Sequence, residues 1–110
     1  MFVRQVSMQL KPDCVTKFAE IIATGVIPLL FGQSGFLDQI TLVTPDCLNA
    51  TVMTFWDNKE SEEAFDRTRN PELLESLLEV IEGTPIVNHF EVISSSFYLP
   101  SAEGGSMRAM

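Results

Sequence analysis

The segment that decides the fold of this chain is Gly25-Val-Ile-Pro-Leu-Leu-Phe-Gly-Gln-Ser-Gly-Phe36, where a helix meets a proline and then turns into a strand. Pro28 has no N–H to donate, and its ring clashes with the carbonyl of Thr24, four residues earlier. A kink near Gly25 is therefore predicted, which divides the first helix into two pieces before it stops at Gly32. The segment closes the first of two strand-helix-strand units.

A strand and an amphipathic helix lead up to this segment. Phe2–Leu10 alternates between apolar and polar positions with a period of two, and Arg4 is a cation on the apolar side. Asp13 is placed to cap the following helix by accepting from its free N–H groups. Apolar residues then recur at helical spacing, which predicts one buried face. They are Val15, Phe18, Ile21, Ile22, Val26, Leu29 and Leu30.

Two strands and a second helix are predicted after the segment. Residues 36–44 and 50–56 are rich in β-branched and aromatic side chains, and a short turn between them indicates an antiparallel hairpin. Asp57, with Glu60 in the same first turn, resembles a capping box. It is predicted to open a helix that extends to about Arg69.

The last part of the chain contains a third helix, a fourth strand and a tail. Asn70 as N-cap and Pro71 at the first helical position begin the helix, and Gly83 ends it. Residues 86–97 supply the last strand. Residues 98–110 have no apolar periodicity and are predicted to form a disordered tail. The apolar stripe of the third helix, predicted to be core, is Leu73, Leu74, Leu77, Leu78 and Ile81.

The element order β-α-β-β-α-α-β predicts an α+β fold of the ferredoxin-like, split β-α-β type, in a single domain over residues 1–97. Four antiparallel strands form the sheet, with the helices on one face. The other face is polar but uncharged, which suits a covered surface, and a second copy of the sheet is the simplest cover. We therefore expect a homodimer formed by sheet-to-sheet packing. The polar residues assigned to this face are Gln5, Ser7, Gln9, Gln39, Thr41 and Thr51.

Composition narrows the classes of partner. The chain has 7 Lys and Arg against 15 Asp and Glu, a net charge of -8, which argues against binding to nucleic acid or to an anionic membrane surface. The apolar stretch 26–31 is far too short to span a bilayer. Cys14 and Cys47 are predicted to be free thiols, and the start of the chain lacks the layout of a secretion signal. A cytoplasmic location is expected.

Four short motifs carry a resemblance to a known family. They are Val26-Ile-Pro-Leu-Leu30 ahead of Gly35-Phe36, Phe55-Trp56-Asp57 after the third strand, Ala64-Phe65 in the following helix, and residues 87–92 in the last strand. Over residues 1–97 the chain resembles the antibiotic-biosynthesis-monooxygenase-like proteins of the dimeric α/β-barrel superfamily. The resemblance implies a ferredoxin-like subunit, a dimer that forms an α/β barrel, and a pocket between sheet and helices.

The resemblance also implies two chemistries, which are cofactor-free oxidation of aromatic polyketides and degradation of haem. The haem-degrading members have an asparagine on the first strand and a histidine on the helix after the third strand. This chain has Arg4 and Gln5 on that strand and no histidine on that helix. The polyketide oxygenases use a tyrosine, whereas Tyr98 begins the tail. No cofactor is therefore predicted, and the resemblance leaves the reaction open.

Trp56 and His89 are the candidate catalytic residues. Trp56 combines a flat apolar surface with an N–H donor, and His89 can exchange a proton near neutral pH. Each also has a structural interpretation, since a tryptophan at a strand end is often core and a lone strand histidine is often hydrogen bonded or at an interface. No metal site is predicted, because the chain has a single histidine, and the run Glu60, Glu62, Glu63 is interpreted as a solvated helix start.

Arg4, Phe18 and Phe65 are the candidate substrate-binding residues. A cation on the apolar side of the first strand would pair with a carboxylate such as Asp38 or point into the pocket toward an anionic ligand. Two functions remain open. One is a small-molecule-binding protein, with a cofactor-independent monooxygenase for a phenolic or quinone-like compound as its more specific form, and the other is a non-catalytic dimeric module. A cavity beside Trp56 of at least about 300 Å³ would favour the first.

Overall fold

The computed structural model of the protein describes residues 1–96, 98–101 and 104–107. Strands, α-helices and one π-helical turn alternate along the chain. The strands are β1 (Phe2–Leu10), β2 (Phe36–Val43), β3 (Asn49–Trp56), β4 (Ile81–Glu91), β5 (Tyr98–Ser101) and β6 (Gly104–Met107). The helices are α1 (Val15–Ile21), α2 (Ile27–Phe31), α3 (Lys59–Thr68) and α4 (Asn70–Leu77), with the π turn at Ile22–Val26.

The four long strands form one antiparallel sheet in the order β2-β3-β1-β4. This is the strand order of a ferredoxin-like subunit, so the predicted fold class is confirmed. Strand β1 lies in the centre, where Arg4 is opposite Thr54 of β3 and opposite His89 of β4. Residues directly opposite each other on neighbouring strands lie on the same face of a sheet. Residues of β3 and β4 that are opposite a helix-facing residue of β1 therefore also face the helices.

The main core lies between this sheet and the helices. Val6, Met8 and Leu10 of β1 are buried in one cluster with residues from every helix. Strand alternation produces this arrangement, because every second residue of β1 points toward the helices. The helical members of the cluster are Phe18, Ile22, Val26, Leu30, Phe65, Leu73 and Leu77.

The first helix is interrupted as predicted, and the interruption is a π turn. The π turn ends at Val26, and α2 then begins with Pro28 in its first turn. A proline cannot donate to the carbonyl four residues earlier, and a locally wider turn relieves that mismatch. The predicted cap was wrong, because Asp13 is in the left-handed region (φ 60°) and Cys14 precedes α1 without a side-chain cap.

The starts of the later helices differ from the sequence prediction. Asn58, not Asp57, caps α3, and its side chain accepts from the Ser61 N–H at 2.8 Å. Helix α4 has no side-chain cap and ends at Leu77, not near Gly83. Ile81 therefore lies in β4, where it is opposite Leu10. The apolar stripe that looked helical includes the first residue of a strand.

The sheet face away from the helices is more apolar than predicted. The register of β2 against β3 shifts between Phe36 and Asp38, and this irregularity reverses the alternation that follows. Gln39 and Thr41 are thus opposite Thr54 and Val52, on the helix side, and their assignment to the other face was wrong. The face away from the helices, called the open face below, consists of Val3, Gln5, Ser7, Gln9, Asp38, Ile40, Leu42, Thr51, Met53, Phe55, Ile86, Asn88 and Phe90.

Strands β5 and β6 form a separate two-stranded sheet within the segment that the sequence predicts to be disordered. Residues 97, 102–103 and 108–110 lie outside the described residues. An isolated two-stranded hairpin is at most marginally stable in water, so disorder of residues 98–110 in solution stays a prediction. Among the described residues no helix is long and apolar enough to cross a membrane.

Candidate functional site

Three of the candidate residues pack together in the core. Trp56 and Phe18 are 0% exposed and Phe65 is 1% exposed, and the Trp56 and Phe65 rings lie 5.0 Å apart. The indole Nε1 donates to the Thr54 hydroxyl oxygen at 2.9 Å, so this donor is already used. The structure thus places Trp56 where it fills space, and its catalytic role stays a prediction.

The space between sheet and helices is almost closed. A cavity there has a volume of about 30 Å³, and its walls include Arg4, Thr54, Phe65 and Asn70. That volume is about what one water molecule occupies in liquid water. It is far below what an aromatic ligand needs, so any ligand in this space would require the side chains to move apart.

Arg4 is buried and paired, as one of the two interpretations of it expected, but its partner is different. Its Nε donates to Asp66 Oδ1 at 3.0 Å, and its Nη2 donates to the side-chain oxygen of Asn70. The guanidinium also lies over the Phe65 ring, 5.6 Å from the centroid. Asp38, the partner suggested by the sequence, is on the open face. Arg4 therefore fastens α3 and the start of α4 to the centre of the sheet.

His89 is bound to a buried carboxylate. Its Nδ1 contacts Glu62 Oε1 of α3, and the Glu62 side chain is 4% exposed while that of His89 is 51% exposed. The interpretation of Glu62 as part of a solvated run was therefore wrong. An ionised carboxylate only accepts hydrogen bonds, so Nδ1 carries the hydrogen and Nε2 of a neutral imidazole keeps its lone pair. A carboxylate that fixes the tautomer in this way prepares a histidine to act as a base.

His89 also lines a cleft between α3 and the end of β4, called the α3–β4 cleft below. The cleft has a volume of about 520 Å³. Its walls combine apolar side chains from the sheet with charged side chains from α3. The lining residues are Phe2, Val3, Lys59, Glu62, Glu63, Asp66, Arg67, His89, Phe90 and Glu91.

Of the candidate site residues, only His89 lines this cleft, while Arg4 lies one strand away, opposite it in the register. Glu62 and Asp66 were not predicted to be site residues. They are the two α3 residues that hold His89 and Arg4. Their spacing of four places them on one side of the helix, and this spacing was the available signal. No group of three or more His, Cys, Asp or Glu residues in the described part of the chain is arranged to hold a metal ion.

The fold and the cleft define an α+β protein of the ferredoxin-like type with a polar cleft beside its edge strand. Neither a family model nor a curated protein sequence matches this chain. Solved structures do match it. One is a monooxygenase of Streptomyces coelicolor in complex with nanaomycin D, which is 23% identical with a TM-score of 0.75, over 91% of this chain and 92% of that chain.

Two other similar structures illustrate how widely the fold is used. A protein of unknown function from Nitrosomonas europaea has a TM-score of 0.73 at 17% identity, over 92% of this chain and 95% of that chain. A candidate antibiotic biosynthesis monooxygenase from Deinococcus radiodurans has a TM-score of 0.71 at 8% identity, over 86% and 95%. The chain therefore has the fold of these proteins, as the sequence resemblance implied, and a shared fold does not fix a shared activity.

Proposed function

We propose that the protein binds a small phenolic or quinone-like molecule in the α3–β4 cleft and that His89 removes the hydroxyl proton of a phenol. The contact between His89 and the buried Glu62 carries this proposal, because it holds through Nδ1 a histidine that lines the cleft. Phe2 offers apolar surface to an aromatic ring. The volume of about 520 Å³ falls within the range of small-molecule sites.

The reaction we propose is oxygenation of the phenol by molecular oxygen without a metal or flavin. Deprotonation by His89 Nε2 gives an electron-rich phenolate, which oxygen oxidises. A ring C–H bond is replaced by a C–O bond, and the product is a quinone. One atom of O₂ becomes the new carbonyl oxygen, and the other leaves as water with the two hydrogens that the phenol loses. Glu62 stabilises the imidazolium that forms between these steps.

The test is oxygen consumption with a naphthol in chelator-treated, flavin-free buffer, together with quinone formation by absorbance. We expect the His89→Ala variant to lower kcat by about 100-fold, the usual contribution of a positioned base. Glu62→Gln should lower kcat less and change the pH profile, because it alters the charge that orients His89. Lys17→Met, on the exposed side of α1, is the control and should leave the rate unchanged.

Melting temperatures separate a chemical effect from a folding defect. Removal of His89 leaves the buried Glu62 carboxylate without its partner and is expected to lower the melting temperature, so rates are compared at a temperature where both proteins are folded. A His89→Ala variant that oxidises the naphthol as fast as the wild type would refute the role of His89 as base. Absence of oxygen uptake with a naphthol and with related dihydroxyarenes would refute the oxygenase activity. A ligand that still raised the melting temperature would then leave a binding function.

We also propose that two chains associate through the open face into a homodimer. Apolar side chains there are exposed in the single chain, with Ile86 at 63%, Leu42 at 51% and Phe90 at 49% exposure. Phe55 and Val3 are buried beside them in a second small cluster. A face that combines exposed apolar side chains with the neutral Gln5 and Ser7 suits contact with protein more than contact with water.

Light scattering at micromolar concentration should give twice the 12.3 kDa mass of one chain. Leu42→Lys places a charge on the open face and is expected to produce monomers, because an unpaired charge in an interface is costly. Leu78→Lys is the matched control, since Leu78 is 60% exposed at the end of α4, on the helix side. A wild-type protein that remains monomeric would refute the dimer.

The second candidate function is a non-catalytic dimeric module. The observation in its favour is the nearly closed space between sheet and helices, filled by Trp56, Phe18 and Phe65, where the family resemblance implied a pocket. The two functions make different predictions. The module needs the dimer but no ligand, so it predicts dimer formation with no change of melting temperature in any phenol or quinone.

A further inference from the structure

A cation on the wall of the α3–β4 cleft has no ion-pair partner among the residues that the structure describes. Arg67 lines the cleft and is exposed, and no carboxylate in the described part of the chain lies within ion-pair distance of its guanidinium. The other basic residues of this region are paired, Lys59 with Glu63 and Arg69 with Glu72. A guanidinium presents several N–H groups in a fixed plane that suits a carboxylate.

Pairing within the cleft leaves two charges free. Glu62 is held by His89, Asp66 by Arg4 and Glu63 by Lys59. Of the ionisable residues that line the cleft, this leaves the Arg67 guanidinium and the Glu91 carboxylate without an ion-pair partner among the described residues. Within the described part of the chain, the cleft therefore presents one unpaired positive charge and one unpaired negative charge, with His89 as its proton acceptor.

These two charges lie toward opposite ends of the cleft. Glu91 is opposite Phe2, which in turn is opposite Trp56, so Glu91 is at the end of the sheet from which α3 begins. Arg67 is near the other end of α3, five residues after Glu62, which is about 7.5 Å along the helix axis. An anionic group is thus disfavoured near Glu91 and favoured near Arg67.

We infer that the ligand is a hydroxyarene that carries a carboxylate, with its hydroxyl group at His89 Nε2 and its carboxylate at Arg67. This inference rests on the proposed function and adds the substrate class and the orientation of the ligand. An arginine–carboxylate pair with two parallel N–H to O bonds also fixes the plane of the ligand. The aromatic ring then spans the cleft between the two groups, over Phe2.

The test compares two probes, a hydroxynaphthoate with its substituents on opposite rings and the matching neutral amide. Titration calorimetry should show that the wild-type protein binds the carboxylate about five- to tenfold more tightly, since the guanidinium is exposed and its pairing is partly screened. Arg67→Gln should abolish this preference and leave the affinity for the amide unchanged. Arg69→Gln, which removes a paired cation outside the cleft, should keep the preference.

The outcomes separate this inference from the proposed function. Equal affinity of the wild-type protein for both probes, with His89→Ala weakening both, would overturn the role of Arg67 and keep the cleft as a phenol site. A carboxylate preference that survives in Arg67→Gln would overturn it as well. Failure of both probes to bind would overturn the proposed site and the inference together. Raised salt should reduce the carboxylate preference of the wild-type protein, and a preference that salt leaves unchanged would contradict an exposed ion pair with Arg67.

Discussion

Replacement of Trp56 by alanine is expected to lower the free energy of unfolding by about 4 kcal/mol, because it removes the largest fully buried side chain and leaves a cavity. The cavity would be lined by Phe36 and Phe65, whose rings lie 5.6 Å and 5.0 Å from the indole ring. Urea denaturation at one fixed protein concentration measures the loss. Fixed concentration matters because association would otherwise contribute to the apparent stability.

Two variants make this experiment specific. Trp56→Phe keeps most of the apolar volume and loses the N–H that Thr54 accepts, so it should cost a minor part of the alanine effect. Phe31→Ala removes an aromatic ring that is 74% exposed and should cost less than about 1 kcal/mol. If Trp56→Ala were tolerated as easily as Phe31→Ala, the core would not depend on the indole.

Replacement of Arg4 by methionine is expected to lower the free energy of unfolding by about 3 kcal/mol. The change leaves Asp66 and Asn70 without their donor, and the loss of one partner of a buried ion pair is strongly destabilising. Asp66 is 36% exposed and can take up some water, which keeps the expected cost at the lower end of the range. Methionine retains the apolar contact with Phe65.

Lys17→Met is the matched control, because Lys17 also pairs with a single carboxylate. Its Nζ is 2.7 Å from Glu79 Oε2, and this hydrogen bond raises the pKa of Lys17 and lowers the pKa of Glu79. Both side chains are exposed, so the change should have little effect on stability. The double variant Arg4→Met with Asp66→Asn should recover part of the loss. Equal effects of Arg4→Met and Lys17→Met would contradict a structural role for the Arg4 pair.

The fold could be predicted because its signals are local. The alternation of Phe2–Leu10 gives the bounds of β1 without error, and the proline at position 28 marks the interrupted helix. The end of α4 could not be located in this way, because Leu77 and Ile81 have helical spacing although the second begins a strand. Whether Ile81 belongs to the helix or to the strand is decided by its pairing with Leu10, which is a contact between distant parts of the chain.

The candidate site was less predictable for the same reason. His89 was identified from its chemistry, but its partner Glu62 looked like one of several carboxylates at a helix start. Only the packing of α3 against the sheet distinguishes Glu62 from Glu60 and Glu63, because it buries that one side chain. For Arg4, one interpretation was a pair with Asp38. That partner was wrong because an irregularity in β2 puts Asp38 on the open face, and the irregularity could not be inferred from alternation.

The π turn at Ile22–Val26 has a consequence for helical phase. Phe18, Ile22, Val26 and Leu30 are all buried and are spaced by four residues throughout. In an ideal α-helix each such step overshoots a full turn by about 40°, so three steps would rotate the last residue about 120° away from the first. A wider turn in the middle lowers the rotation per residue and offsets part of this drift. A helix that buries every fourth residue thus needs a segment with less rotation per residue. In this chain the π turn is that segment, and it lies immediately before the turn that contains Pro28.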